Sequence, residues 1–138
     1  MTTFHLFDSL TQRSVSPSLS QHVSIYACGI TPYSDAHVGH ARSYAIFDAL
    51  SDVLRAAGHT VRLVRNITDI DDKIIAAAQR EGISWHALSE RYASDNRTLM
   101  RRTKLSVPEE PKASEYLPEI FSIIERLMGL GLAYESGV

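Results

Sequence analysis

The sequence has one cysteine, one tryptophan and five prolines among its 138 residues. A lone cysteine excludes an internal disulfide and fits a reducing compartment. No apolar run approaches the roughly 18 residues that a membrane-spanning helix needs. The opening stretch MTTFHLFDSL has neither the basic nor the apolar region of a secretion signal. Neither sign of charge dominates: 14 Lys and Arg face 16 Asp and Glu, a formal net charge of −2. A chain that grips nucleic acid by bulk charge alone is therefore excluded. There is no repeat, low-complexity tract or long charge block. A soluble, cytoplasmic protein is expected. With 44% hydrophobic and 22% charged residues, the chain has the composition of a single domain that buries a core.

Residues 3–10 (TFHLFDSL) alternate apolar and polar side chains and predict a short strand. Residues 11–21 (TQRSVSPSLSQ) predict a Ser-rich loop. HVSIYA (22–27) is apolar and β-branched, the pattern of a buried strand, and Gly29 and Pro32 break it. From Val38 the apolar residues follow a helical stripe to Leu54, with Asp48 at its edge and Gly58 as the stop. TVRLV (60–64) predicts a second strand, and DDKIIAAAQREG a helix closed by Gly82. Ser84 is a good N-cap for the helix that follows. VPEEPKAS is a connector. The next helix is amphipathic with Pro118 near its first turn, and LAYES (132–136) has the pattern of a starting strand. Residues 22–65 thus form a βαβ unit, which implies two parallel strands. Both strands then end on one edge of the sheet, where ligands of such folds bind. CGITPY and RNITD should face one crevice. Two strands leave a parallel sheet incomplete.

His37 and His40 lie three apart at the start of a helix and share a face. A helix N-terminus suits phosphate, and two imidazoles there can stabilise charge developing at phosphorus. Gly39 between them lets a flat group such as an adenine ring approach the backbone. Capping or surface roles, and a His-x-x-His metal pair, explain the same spacing. Cys28 sits at a strand end. As a thiolate it suits zinc, or nucleophilic catalysis with His37 or His40 as base, and an inert buried thiol is equally consistent. No CxxC or HExxH occurs, and His5, His22, His59 and His86 are scattered, so no complete tetrahedral metal site is visible. In TDIDDK, Thr68 or Asp69 can cap the next helix while Asp71 and Asp72 favour its dipole; magnesium binding is the alternative. Arg101, Arg102 and Lys104 suit a helix C-terminus without any nucleic acid.

Taken together, CGITPYSDAHVGHARSYAIFDAL, VRNITDIDDKII and PKASEYLPEIFSIIERLMGLGLAYES resemble the front of cysteinyl-tRNA synthetase, a class I aminoacyl-tRNA synthetase. The resemblance runs from about Phe4 to Val138. HVGH corresponds to the HIGH signature of the class. The resemblance implies an α/β fold of Rossmann (HUP-like) type, with a parallel sheet and flanking helices, incomplete in this chain. It makes residues 1–138 the N-terminal part of the catalytic nucleotide-binding domain, with 83–130 a helical region leading towards a connective insertion. It implies that cysteine is activated with ATP and magnesium to cysteinyl-adenylate, and that the acyl group passes to tRNA(Cys). A monomer is expected. By the same resemblance Cys28 is a zinc ligand that receives the substrate thiolate, Gly29 and Thr68 line the amino-acid pocket, and Thr31, His37, Gly39 and His40 form the ATP side. His37 and His40 then act catalytically by electrostatic stabilisation.

The departures are as informative. The family's other three zinc ligands and its KMSKS loop belong to a later segment than these residues, as do the tRNA-binding regions. The 138 residues alone are thus expected to be inactive. Pro32 in CGITPY resembles the cysteine ligase of mycothiol biosynthesis, whereas RNITDIDDK with Lys73 resembles the synthetase. A non-catalytic nucleotide- or partner-binding relative is the other alternative.

Overall fold

A computed structural model describes residues 4–137. The chain begins with a hairpin in which β1 (Leu6–Asp8) pairs antiparallel with β2 (Arg13–Val15). The strand expected over 3–10 is shorter, and its first residue, Thr3, lies outside the described residues. The loop expected over 11–21 contains β2. Its turn uses no glycine. The Asp8 carboxylate accepts the Leu10 and Thr11 N–H groups at 3.1 and 3.2 Å, and Gln12 takes the left-handed conformation at φ 55°.

The βαβ unit forms as its pattern predicts. β3 (His22–Ala27) leads through α1 (Val38–Ala56) to β4 (Thr60–Arg65), and the strands pair in parallel with Val23 opposite Val61 and Ile25 opposite Leu63. Gly58 ends α1 at φ 97°, a conformation that disfavours any side chain. α1 packs against β4. β3 is not the fully buried strand its sequence predicts. His22, Ser24 and Tyr26 are exposed and only the alternate residues are covered, because the described residues lay a helix on one face of this strand pair.

α2 (Asp72–Glu81) and α3 (Trp85–Arg102) pack on each other around Ile74, Ala77, Ala78 and Leu88. Gly82 caps α2 at φ 68°, and Ser84 Oγ accepts the Ala87 N–H at 3.1 Å, as expected of both. A second cluster joins Ile30, Tyr44 and Met100, bringing α3 beside the βαβ unit.

The connector after α3 does more than link helices. It runs beside the end of β4 in parallel, with Arg65 N–H donating to Glu109 O and Ile67 N–H to Pro111 O, both at 2.9 Å. Its prolines conceal this edge in the sequence, since Pro111 pairs through its carbonyl alone. A 3₁₀ turn (Ala113–Tyr116) then leads to α4 (Leu117–Gly129), with Pro118 in the first turn. No residue of α4 is buried, and Phe121, Ile123 and Ile124 stand exposed. LAYES forms no strand: among the described residues no other strand pairs with its backbone.

One ion-pair chain spans these parts. The Arg65 guanidinium donates to Glu110 at 2.8 Å with both side chains nearly inaccessible. Arg97 donates to the same carboxylate at 2.9 Å and also contacts Glu90, which pairs with Lys112. β4, α3 and the connector are thereby fastened together.

The ends of β3 and β4 cross so closely that a β-carbon on Gly29 would lie 1.3 Å from the Asn66 carbonyl oxygen. Backbone cannot move aside as a rotamer can. Gly29→Ala is therefore expected to destabilise the chain by at least about 3 kcal/mol, read as a lowered urea midpoint with an unchanged slope.

Candidate active site

The carboxyl ends of the two strands are stitched into one rim. Gly29 N–H donates to Asn66 Oδ1 at 3.0 Å, Asn66 Nδ2 donates to Thr68 Oγ1 at 3.0 Å, and Thr68 N–H returns to Ile30 O at 2.9 Å. CGITPY and RNITD thus meet as their topology predicts. Beside them opens a crevice of about 300 Å³, lined among others by Gly29, Thr31, His37 and His40.

His37 is the N-cap of α1 and His40 its third residue. The two imidazoles form a reciprocal capping box, in which His37 Nδ1 accepts the Gly39 N–H and His40 Nδ1 accepts the His37 N–H, both at 3.1 Å. An accepting Nδ1 carries no proton, so this geometry selects the neutral tautomer protonated at Nε2 in both rings. The rings stack with centroids 4.0 Å apart. Burial pushes the His40 pKa below its ordinary value, and the neighbouring His37 adds to the shift. A β-carbon on Gly39 would lie 2.8 Å from the His37 ring. The His37 imidazole thus packs directly against this glycine.

Cys28 follows β3 directly and is exposed. Among the described residues no three His, Cys, Asp or Glu side chains gather as metal ligands. The carboxylates of TDIDDK are used separately, and differently from the expectation. Asp71, not Thr68 or Asp69, caps α2 by accepting the Lys73 N–H at 2.8 Å. Asp69 is buried and accepts the N–H and hydroxyl of Ser114 at 2.9 and 2.5 Å, tying the connector to the rim. Arg101 and Arg102 occupy the last turn of α3, where its dipole favours them.

Two lining residues escape a reading of the motifs. Tyr92 and Asn96 reach the crevice from α3. The signal for Asn96 was a polar residue in the stripe Leu88, Tyr92, Asn96, Met100, where burial of an amide needs a reason. Asn96 Oδ1 and the Tyr44 hydroxyl are both buried without a hydrogen bond. Burial pushes the Tyr44 pKa up, while Arg65 and the nearby Asn96 amide oppose the shift. Asn96 acts there by proximity, since neither unpaired atom meets hydrogen-bonding geometry.

The site thus joins a parallel βαβ unit to an imidazole pair that caps its helix at the strand ends. The solved Mycobacterium tuberculosis methionyl-tRNA synthetase in complex with methionyl-adenylate superposes on 78% of this chain and 22% of its own at a TM-score of 0.70 and 20% identity, a likeness of fold. The family described as tRNA synthetases class I (C) catalytic domain matches residues 14–138, and the chain belongs to it. The cysteine–tRNA ligase of Thermodesulfovibrio yellowstonii is 42% identical over 133 residues, covering 94% of this chain and 27% of that protein. The cysteine–tRNA ligase of Idiomarina loihiensis is 41% identical over 135 residues, covering 96% and 29%. The chain therefore spans less than a third of the length of these curated relatives. No described helix is long and apolar enough to cross a membrane.

The burial of His40 beside His37 has a pH consequence. Because His40 is harder to protonate folded than unfolded, the unfolded chain takes up the proton first as pH falls. The stability this group contributes is complete above its ordinary pKa of 6.5 and is lost as pH drops through the lower folded value. The urea midpoint is expected to fall between about pH 7.5 and about pH 5.5, and to fall less in His40→Gln, which can still accept the His37 N–H.

Proposed function

We propose that this chain supplies the first part of the site at which a cysteine–tRNA ligase activates cysteine with ATP and then charges tRNA(Cys). The observation that carries the reading is the stitched rim: Gly29, Asn66 and Thr68 join the two strand ends beside the crevice that holds His37 and His40. The relatives' names and the family match support the same assignment.

The division of labour is the one that the resemblance to the family implies. Gly29 and Thr68 form the amino-acid side, and Thr31, His37, Gly39 and His40 the ATP side. The cysteine carboxylate attacks the α-phosphate of ATP, a new O–P bond forms, and pyrophosphate leaves with the electrons of the broken bond. With both Nδ1 atoms accepting backbone protons, the Nε2–H of each histidine is left to donate to phosphate oxygens. The positive end of α1 adds to the field that holds the negative charge. His37 and His40 stabilise charge in this scheme and take no proton from the substrate. Magnesium accompanies ATP as part of the substrate.

Zinc fits these residues only in part. Cys28 is exposed and offers one soft donor, but no group of three or more ligands gathers around it among the described residues. A tetrahedral site needs donors from elsewhere in the full-length protein, and no step of the scheme relies on the metal. A cytoplasmic location is part of this reading.

The test is cysteine-dependent exchange of pyrophosphate into ATP, in the protein at its relatives' length. His37→Ala and His40→Ala are each expected to lower kcat by about 10²–10³-fold with a smaller effect on the KM for cysteine. Absence of cysteine-dependent exchange in the unaltered protein overturns the assignment. In the 138 residues alone, Cys28→Ser is expected to change neither zinc content nor the urea midpoint.

A further inference from the structure

Behind the histidine pair lies a column of groups that the proposed reaction does not touch. His40 stacks beside Tyr44 one helical turn on, with centroids 6.4 Å apart and planes 23° apart. The Arg65 guanidinium lies over the Tyr44 ring, 3.7 Å from its centroid. That guanidinium is held in turn by Glu110, and both are buried. A planar cation over an aromatic face is an orienting contact as well as an attractive one. The Tyr44 hydroxyl makes no hydrogen bond, so the ring acts through its face.

We propose that Arg65 is a positioning residue for the histidine pair: held by Glu110, it sets the Tyr44 ring, and the ring sets His40 and through it the capped, stacked His37. The inference assigns work to a residue that reaches neither the crevice nor any substrate. It accounts for a charge retained at the end of a strand, where an apolar side chain of similar bulk would be cheaper to bury. It rests on the reading that His37 and His40 face ATP, but only for its consequence in catalysis. The mechanical part stands on geometry within these 138 residues.

The groups that face His40 are its neighbours His37 and Tyr44 on α1, with Tyr92 and Asn96 of α3 lining the same crevice. Arg65 acts one contact further back. The column therefore predicts that disturbing Arg65 changes His40 through Tyr44, whereas disturbing the outer part of the ion-pair chain does not. Arg97 provides that control, because it touches Glu110 but is not stacked on Tyr44.

The experiment is ¹⁵N and ¹H NMR of the imidazoles in the 138-residue chain, followed through a pH titration, with far-UV circular dichroism to verify folding. Tyr44→Phe keeps the ring face and is expected to leave the His37 and His40 tautomers, their ring-to-ring NOE and the His40 midpoint unchanged. Tyr44→Leu keeps bulk but loses the face. It is expected to weaken that NOE, mix the tautomers and move the His40 midpoint up towards the ordinary histidine value. Arg65→Met combined with Glu110→Leu, which leaves no buried charge unpaired, should reproduce Tyr44→Leu, and Arg97→Gln should not. Unchanged imidazole signatures in the folded double variant overturn the proposal. So does an equal change in Arg97→Gln, which would make the effect one of general packing. If the double variant does not fold, the contrast between Tyr44→Phe and Tyr44→Leu decides: equal signatures in the two overturn it. The pyrophosphate exchange assay reads the ATP assignment separately, so that either idea can fail alone.

Discussion

The Arg65–Glu110 pair is the contact on which the arrangement of elements depends. Its partners come from β4 and from the connector after α3, and Arg97 of α3 shares the same carboxylate. Burying two charges costs several kcal/mol per ion, and the cost is offset only when the geometry is good and the remaining bonds are filled. Here Glu110 is filled twice and Arg65 lies over an aromatic face. The pair joins β4 to the connector, and through Arg97 the same carboxylate reaches α3. The apolar cluster of Ile30, Tyr44 and Met100 lies beside it.

From this docking the crevice inherits its shape. α3 sends Tyr92 and Asn96 into a space whose other walls are the turn after β3 and the start of α1. Those walls are held by short-range bonds. The Gly29–Asn66–Thr68 stitching closes the rim, and the two imidazoles close the first turn of α1. Histidine is an unusual capping residue, since Ser, Thr, Asp and Asn do the same at lower bulk. A capping carboxylate has no proton left to donate to an anion. An imidazole has a second nitrogen, so it can cap with Nδ1 and still present Nε2–H to a ligand.

A β-branched apolar run locates β3, a short apolar stretch β4 and helical stripes α1 and α4, and Gly58, Gly82 and Ser84 mark three helix ends by their own conformational or bonding needs. The motifs locate Cys28, Gly29, Thr31, His37, His40 and Thr68 correctly near one sheet edge, because parallel pairing of the strands leaves their ends nowhere else to go. The misses share a cause. β2, the pairing of Glu109 and Lys112 beside β4, the turning of Asp69 towards Ser114, and the entry of Asn96 into the crevice all depend on partners distant in sequence or on backbone groups, which residue type does not encode.

The amino-acid sequence by itself determined the βαβ order, the residue types at the strand ends and membership of the class I (C) tRNA synthetase family, since spacing and residue type persist without a fold. Tertiary structure alone decided how those residues are used. It showed that the histidines cap their own helix through Nδ1 and that Gly29 is glycine because a carbonyl occupies the place of its side chain. It also showed that Arg65 stands behind Tyr44. Each of these is a contact between groups that meet only when the chain closes, with geometry set by distances of a few ångströms that no linear pattern records.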